Sequence, residues 1–218
     1  MERISKTFFS IAFFSLSILL SRADIMSDDC NNFYYPNNKV NKMKTKKVLL
    51  VVAHEGYQPI EYGKPKKILE DADFQVVTAS NKPGIATATD NSTTTVDIVL
   101  DKVSIDDYAG IIFIGGPGCL EHLDNEVSYR IIRKAVKNYK ILGAICLAPR
   151  ILAKAGALNE KNATGWDRDN LLPGIYEQYN VSYLPEVNVV TDDVTVTATG
   201  PRAAEDFGEE IVNLLRKK

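Results

Sequence analysis

The stretch Ile141–Leu152, I-L-G-A-I-C-L-A-P-R-I-L, changes its hydrophobic period in the middle, and few folds accommodate such a change. Ile141, Leu142, Ala144 and Ile145 form a run too short for a helix and too apolar for an exposed strand. This predicts a strand buried on both faces of a parallel sheet. From Leu147 onward Ile151, Leu152 and Ala155 recur at helical spacing, and Gly156 stands where such a helix would stop. The residue at the break is Cys146. A strand that turns sharply into a helix places that residue above the carboxyl edge of the sheet, where open α/β folds keep their ligand sites. A helix N-terminus behind the sulfur would lower its pKa from about 8.5 toward neutrality. Taken alone, a free cysteine is equally well read as a small buried hydrophobe, and the sequence leaves both readings open.

At 218 residues, 45% hydrophobic and 25% charged, the chain can bury one substantial core. Its formal charge of −2 and the absence of a basic block in the body of the chain argue against a nucleic-acid partner. The amino terminus is different in kind. Arg3 and Lys6 precede an apolar run from Thr7 to Leu20, followed by Ser21-Arg22-Ala23. This is the pattern of a secretory signal over residues 1–23, cleaved after Ala23, and the domain is expected to be exported, periplasmic or secreted. An uncleaved anchor is the alternative, although the run is short for a membrane span. Residues 24–45, rich in Asn, Asp and Lys without a period, read as a flexible linker, leaving 46–218 as the domain. Three cysteines, Cys30, Cys119 and Cys146, cannot make a complete disulfide framework, but Cys119 and Cys146 both follow strand ends and could pair in an oxidising compartment. The only histidines are His54 and His122, and no Cys or His pair has zinc spacing. Neither a metal nor a cofactor is expected.

Within the domain, Lys47–Ala53 reads as a buried strand, His54–Pro59 as a loop, Ile60–Ala72 as a helix and Phe74–Ala79 as a second strand. This β-α-β opening implies a right-handed crossover in a parallel sheet. Ile85–Thr89 and Thr93–Val99 flank Asp90-Asn91 as a hairpin. Gly110–Ile114 is a further buried strand ending in Gly115-Gly116-Pro117-Gly118. That cluster lacks the Lys-Ser/Thr of a phosphate loop and the spacing of a dinucleotide fingerprint, so its expected use is to bring backbone N–H groups close to the neighbouring Cys146. Asn125–Tyr139 reads as a helix with Val127, Ile131, Ile132, Ala135 and Val136 inward. Asn162–Trp166 reads as a short strand, Val187–Val190 and Val194–Ala198 as a pair, and Pro201–Leu215 as a closing amphipathic helix.

Seven pieces in this order carry a family likeness: K-V-L-L-V-V-A at Lys47–Ala53, E-Y-G-K-P at Glu61–Pro65, I-G-G-P-G at Ile114–Gly118, A-I-C-L-A-P at Ala144–Pro149, A-G-A-L at Ala155–Leu158, A-T-G-W at Ala163–Trp166 and T-A-T-G-P at Thr197–Pro201. From Lys47 to Leu215 the chain resembles the PfpI/DJ-one family of the class I glutamine amidotransferase-like superfamily. The resemblance implies an α/β flavodoxin-like three-layer sandwich, a mostly parallel central sheet and Cys146 at a strained nucleophile elbow. It also implies that Glu61, four residues before Pro65, sits against the sulfur and donates a hydrogen bond to the thiolate, although taken alone a first-turn carboxylate reads as a solvated group favourable to the helix dipole. Gly116 and Leu147 would offer N–H groups as an oxyanion hole.

The departures from the family pattern concern the proton shuttle. Protease-like members have His directly after the cysteine, where this chain has Leu147, and deglycase or glyoxalase-like members often carry His in the segment matching Thr164–Asp167, which here holds Trp166. His54 is the best remaining candidate and His122 the second. What the resemblance implies is a cysteine-dependent hydrolase or a glyoxalase- or deglycase-type enzyme acting on a small reactive carbonyl or a modified protein, as a homodimer. The alternative is a redox sensor or protective binding protein using the same oxidisable cysteine.

Overall fold

The structure is a computed structural model and describes residues 46–218; the expected signal, linker and Cys30 lie outside the described residues. In chain order its elements are β1 Lys47–Val51, β2 Glu55–Tyr57, α1 Pro59–Asp71, β3 Gln75–Ser80, β4 Gly84–Ala88, β5 Thr93–Val96, β6 Ile98–Val99, β7 Gly110–Phe113, α2 Pro117–His122, α3 Glu126–Lys137, β8 Ile141–Ile145, α4 Pro149–Lys154, β9 Asn162–Ala163, α5 Leu172–Gln178, β10 Ser182–Tyr183, β11 Val189–Asp192, β12 Thr195–Ala198 and α6 Ala204–Lys217.

Seven strands form the central sheet in the order β11-β12-β8-β7-β1-β3-β6. Every neighbouring pair is parallel except β11 with β12, which gives the mostly parallel flavodoxin-like sheet expected from the resemblance. Its three middle strands are continuous apolar runs because helices cover both faces. Val48–Val51, Ile111–Phe113 and Ile141–Ile145 are accordingly buried throughout. One face packs Val48, Leu50, Ile112 and Ile145 against Tyr62 and Leu69 of α1 and Phe207, Ile211 and Leu215 of α6. The other packs Leu49, Val51, Ile111 and Phe113 against Ile131 and Ile132 of α3 and Ile151 and Leu152 of α4. Helices α1 and α6 meet closely, since a Cβ on Gly208 would lie 3.1 Å from Pro65 Cα.

Chain order around the sheet reverses at β1, whose successor β3 lies on one side and whose other neighbour, β7, lies on the opposite side. The crevice above the carboxyl ends at such a reversal is where a doubly wound sheet places a ligand. The segments leaving β1, β7, β8 and β12 all open into it.

Several local expectations are corrected. The segment after β1 is not a plain loop, because Glu55–Tyr57 pairs with β4, and the β4–β5 hairpin completes a separate three-stranded sheet. The second hairpin strand ends at Val96. Asp97 accepts from Thr78 N–H through Oδ2 at 2.8 Å, and Ile98–Val99 crosses into the main sheet beside β3. Val136, expected inward on α3, is 44% exposed, because the inner stripe is centred on Ile131, Ile132 and Ala135. The strand at Asn162 is two residues long and pairs with β10; beyond it Thr164 N–H donates to Thr197 Oγ1 at 2.9 Å and the chain runs on along the crevice. Among the described residues, no helix is long and apolar enough to cross a membrane.

Candidate active site

Cys146 directly follows β8 and has φ 65°. A side chain other than glycine costs of order 1–3 kcal/mol in that left-handed region, so the surroundings must hold it there. Both of its peptide groups are held. Cys146 N–H donates to Ala198 O at 2.9 Å, extending the β8–β12 ladder, and Cys146 O accepts from Trp166 N–H at 2.9 Å. The result is a thiol only 7% exposed on the wall of a cavity of about 720 Å³.

The glycine cluster after β7 works by close approach. A Cβ on Gly115 would lie 2.6 Å from both Cys146 Cβ and Glu61 Oε2, so those two groups are no more than twice that distance apart. Gly116 has φ 108°, and a Cβ there would lie 2.5 Å from Gly56 O and 2.7 Å from Gln58 N. No other residue lets this loop pass between the start of α1 and the sulfur. The loop delivers the Gly116 N–H, which with the Leu147 N–H lies close enough to the sulfur to favour its charged form.

Glu61 lies in the first turn of α1, where Gln58 Oε1 accepts from the N–H groups of Ile60 at 2.6 Å and Glu61 at 3.2 Å. It is not a solvated helix-start carboxylate, being 0% exposed. The Cys146 thiol and the Gly115 N–H are its polar neighbours, yet neither carboxyl oxygen makes a fully aligned hydrogen bond. Burial pushes its pKa up to about 7, with the thiol and the Gly115 N–H pulling against that rise. Cys146 is pushed up to about 12, first by burial and then by the charge and hydrogen bond of Glu61, against the lowering effect of the Gly116 and Leu147 N–H groups. The expected lowering by a helix N-terminus is therefore corrected. Helix α4 begins only at Pro149, so the sulfur has the Leu147 N–H without the rest of a helix end. Carboxyl and thiol hold their protons as one coupled pair.

Neither imidazole joins them. Thr87 N–H donates to His54 O at 2.8 Å as β2 pairs with β4, and the His54 ring faces that hairpin, with Nε2–H donating to Pro83 O at 3.2 Å. His122 ends α2 with Nε2 3.8 Å from Glu121 Oε1. Among the described residues no histidine lines the cavity, and no group of three His, Cys, Asp or Glu side chains could hold a metal ion. Cys119 and Cys146 are both free thiols and belong to the cores on opposite faces of the sheet, so the pairing considered from the sequence is not formed.

Trp166, which stands where relatives often carry a histidine, lines the cavity with Arg168, Tyr183 and Arg202, three residues that the sequence did not single out. Behind Trp166, Arg150 is 3% exposed, donates to both Asp169 oxygens at 2.7 and 2.9 Å and to Trp166 O at 3.1 Å, and stacks its guanidinium 5.7 Å from the indole centroid. Its only sequence signal is a cation placed between Pro149 and Ile151 on a helix face that is otherwise apolar.

Residues 46–214 match the model of the DJ-1/PfpI family. An uncharacterised protein of Methanocaldococcus jannaschii is 28% identical over 203 residues, covering 93% of this chain and 97% of that protein. A Caenorhabditis elegans protein named glutathione-independent glyoxalase is 28% identical over 171 residues, 78% of this chain and 89% of its own. The solved ThiJ/PfpI domain protein of Brachyspira murdochii superposes with a TM-score of 0.75 at 28% identity, covering 80% of this chain and 99% of that one. The match over nearly the whole domain agrees with the fold and with the order of the seven sequence pieces, and the chain belongs to the DJ-1/PfpI family.

Proposed function

We propose that this chain is a cysteine-dependent enzyme acting on reactive carbonyl compounds or their adducts, with Cys146 as nucleophile and Glu61 as its proton partner. The observation that carries the reading is the buried Glu61–Cys146 pair at a positive-φ residue on a cavity wall. A carboxyl with pKa about 7 is poised as a general base at neutral pH. As Sγ attacks the carbonyl carbon, the S–C bond forms and the π pair moves to oxygen. The thiol proton passes to the Glu61 carboxylate, and the new oxyanion faces the N–H groups of Gly116 and Leu147. Return of the proton from Glu61 to that oxygen gives a neutral hemithioacetal, with nothing oxidised or reduced. Glu61 thereby takes over the shuttle for which the sequence offered His54. The glyoxalase name of one relative agrees with this chemistry.

The test is turnover of methylglyoxal by wild type, Cys146→Ser and Glu61→Gln. Turnover lost in the first variant and cut at least a hundredfold in the second is expected; a wild type indistinguishable from Cys146→Ser sinks the proposal.

A second reading, oxidation of Cys146 to a sulfinate without turnover, is favoured by the absence of any imidazole among the residues lining the cavity. Mild peroxide followed by peptide mass spectrometry checks it: selective oxidation at Cys146 is expected, and equal labelling of Cys30, Cys119 and Cys146 counts against it.

A further inference from the structure

The cavity has a cationic rim for which the chemistry at the Glu61–Cys146 pair has no use. Arg168, two residues beyond Trp166, and Arg202, two residues beyond Gly200, reach the same cavity from separate segments. Both are exposed. Among the described residues neither guanidinium is in an ion pair, unlike Arg150 with Asp169 and Arg133 with Glu126. The third charged group of the rim is Asp167, and it is already engaged: Oδ1 accepts from Leu172 N–H at 2.9 Å. Glu61, at the pair itself, is about half ionised near pH 7 and faces the thiol rather than the mouth of the cavity. The open side of the cavity therefore presents two uncommitted cations.

A neutral dicarbonyl gains nothing from such a rim. An anionic one would lose hydration on entry and recover it from two guanidinium forks, whose planar donor pairs match carboxylate and phosphate oxygens. The same charges would draw the anion toward the mouth before contact. We infer that the substrate is a carbonyl compound bearing an oxyanion group, carboxylate or phosphate, which Arg168 and Arg202 hold at the mouth while the carbonyl carbon meets Cys146. This inference rests on the reading of Cys146 as nucleophile. Arg168 and Arg202 are then the residues that set specificity.

Three probes separate the possibilities: glyoxylate for the carboxylate, glyceraldehyde 3-phosphate for the phosphate, and methylglyoxal as the uncharged counterpart of glyoxylate. In wild type kcat/KM for at least one anionic probe should exceed that for methylglyoxal, and whichever anion is favoured identifies the group. The ratio of anionic to neutral kcat/KM should fall about tenfold in Arg168→Gln or Arg202→Gln, the scale of one charge-assisted hydrogen bond in a partly wet site. A ratio that does not move in either variant, or a wild type that prefers methylglyoxal, overturns the inference.

Binding supplies a readout that does not need turnover. Trp166 is the only tryptophan of the chain and lines the cavity, so its fluorescence reports occupancy in Cys146→Ser. Glyoxylate or glyceraldehyde 3-phosphate should change it saturably, with Kd about tenfold higher once either arginine is replaced and a comparable rise in 0.5 M salt. No saturable change with either anion overturns the anion site even if methylglyoxal is turned over. Saturable, arginine-dependent binding to a wild type that turns over none of the three probes upholds the anion site and refutes the catalytic reading instead.

Discussion

Replacing Glu61 by Gln should lower the pKa of the Cys146 thiol. Glu61 Oε2 and Cys146 Cβ both lie 2.6 Å from the point where a Gly115 Cβ would stand, so an ionised carboxylate is one of the sulfur's immediate neighbours. Two unit charges about 4 Å apart at an effective dielectric of about 20 repel by about 4 kcal/mol. At 1.36 kcal/mol per pKa unit, that is about 3 in pKa. Glutamine keeps the shape and the ability to donate, and removes the charge. The thiol, pushed up to about 12 in wild type, should fall by about 3, back to its ordinary range, where what burial still adds is offset by the Gly116 and Leu147 N–H groups. The assay is alkylation of Cys146 as a function of pH, read by peptide mass spectrometry, with the fully buried Cys119 as an internal control. A thiol pKa that stays the same or rises in Glu61→Gln refutes the argument, as does a wild-type thiol already titrating below 7. In the first case the carboxyl would be supporting the thiolate by hydrogen bonding rather than opposing it by charge.

The same pair governs stability. Glu61 has its pKa raised from 4.5 to about 7, so the folded state favours the neutral form; the stability this contributes is complete below about pH 4.5 and is lost between there and about pH 7. The whole loss is about 3 kcal/mol, and urea unfolding at pH 5 and pH 8 should show most of it in wild type and none in Glu61→Gln. Gly118→Ala would drive a Cβ to 1.8 Å from Glu55 O, which is backbone, and should cost about 3 kcal/mol or more in the same assay; a cost under 1 kcal/mol would mean that the loop yields easily. Asp169→Ala strands the Arg150 guanidinium in the core and should cost about 3 kcal/mol, whereas Arg150→Met leaves an aspartate whose side chain is 32% exposed and can hydrate, and should cost less; equal costs would contradict this.

What the sequence revealed followed from how each residue's surroundings are generated. The strands β1, β7 and β8 were legible because burial on both faces writes a continuous apolar run. Cys146 was legible because the hydrophobic period changes there. Glu61 was legible only through its spacing to Pro65, since a first-turn carboxylate has the same local pattern whether it faces water or a thiol. The short elements α2, α5, β2 and β10 were not legible, because two to seven residues give no period and their partners are distant in the chain; β9 was legible in place but not in length. The direction of the thiol pKa was misjudged because it depends on the Gly115 approach and on a helix that starts at Pro149, and both are tertiary facts. The inward path of Arg150 is of the same kind: its exposure is decided by Asp169 and Trp166, 19 and 16 residues away.

The hydrogen bond from Cys146 N–H to Ala198 O also sets a time at which the site can exist during synthesis. Ala198 is synthesised 52 residues after Cys146, and β12, which fixes the cysteine's backbone, is the last strand among the described residues. Until β12 docks, Cys146 has neither its ladder partner nor the face completed by α6. A chain without β12 lacks the acceptor that holds the Cys146 N–H, and that contact forms only when the later segment closes. A chain stopped before Thr195 would keep Cys146, Glu61 and the glycine loop in its sequence and still lack the geometry that joins them.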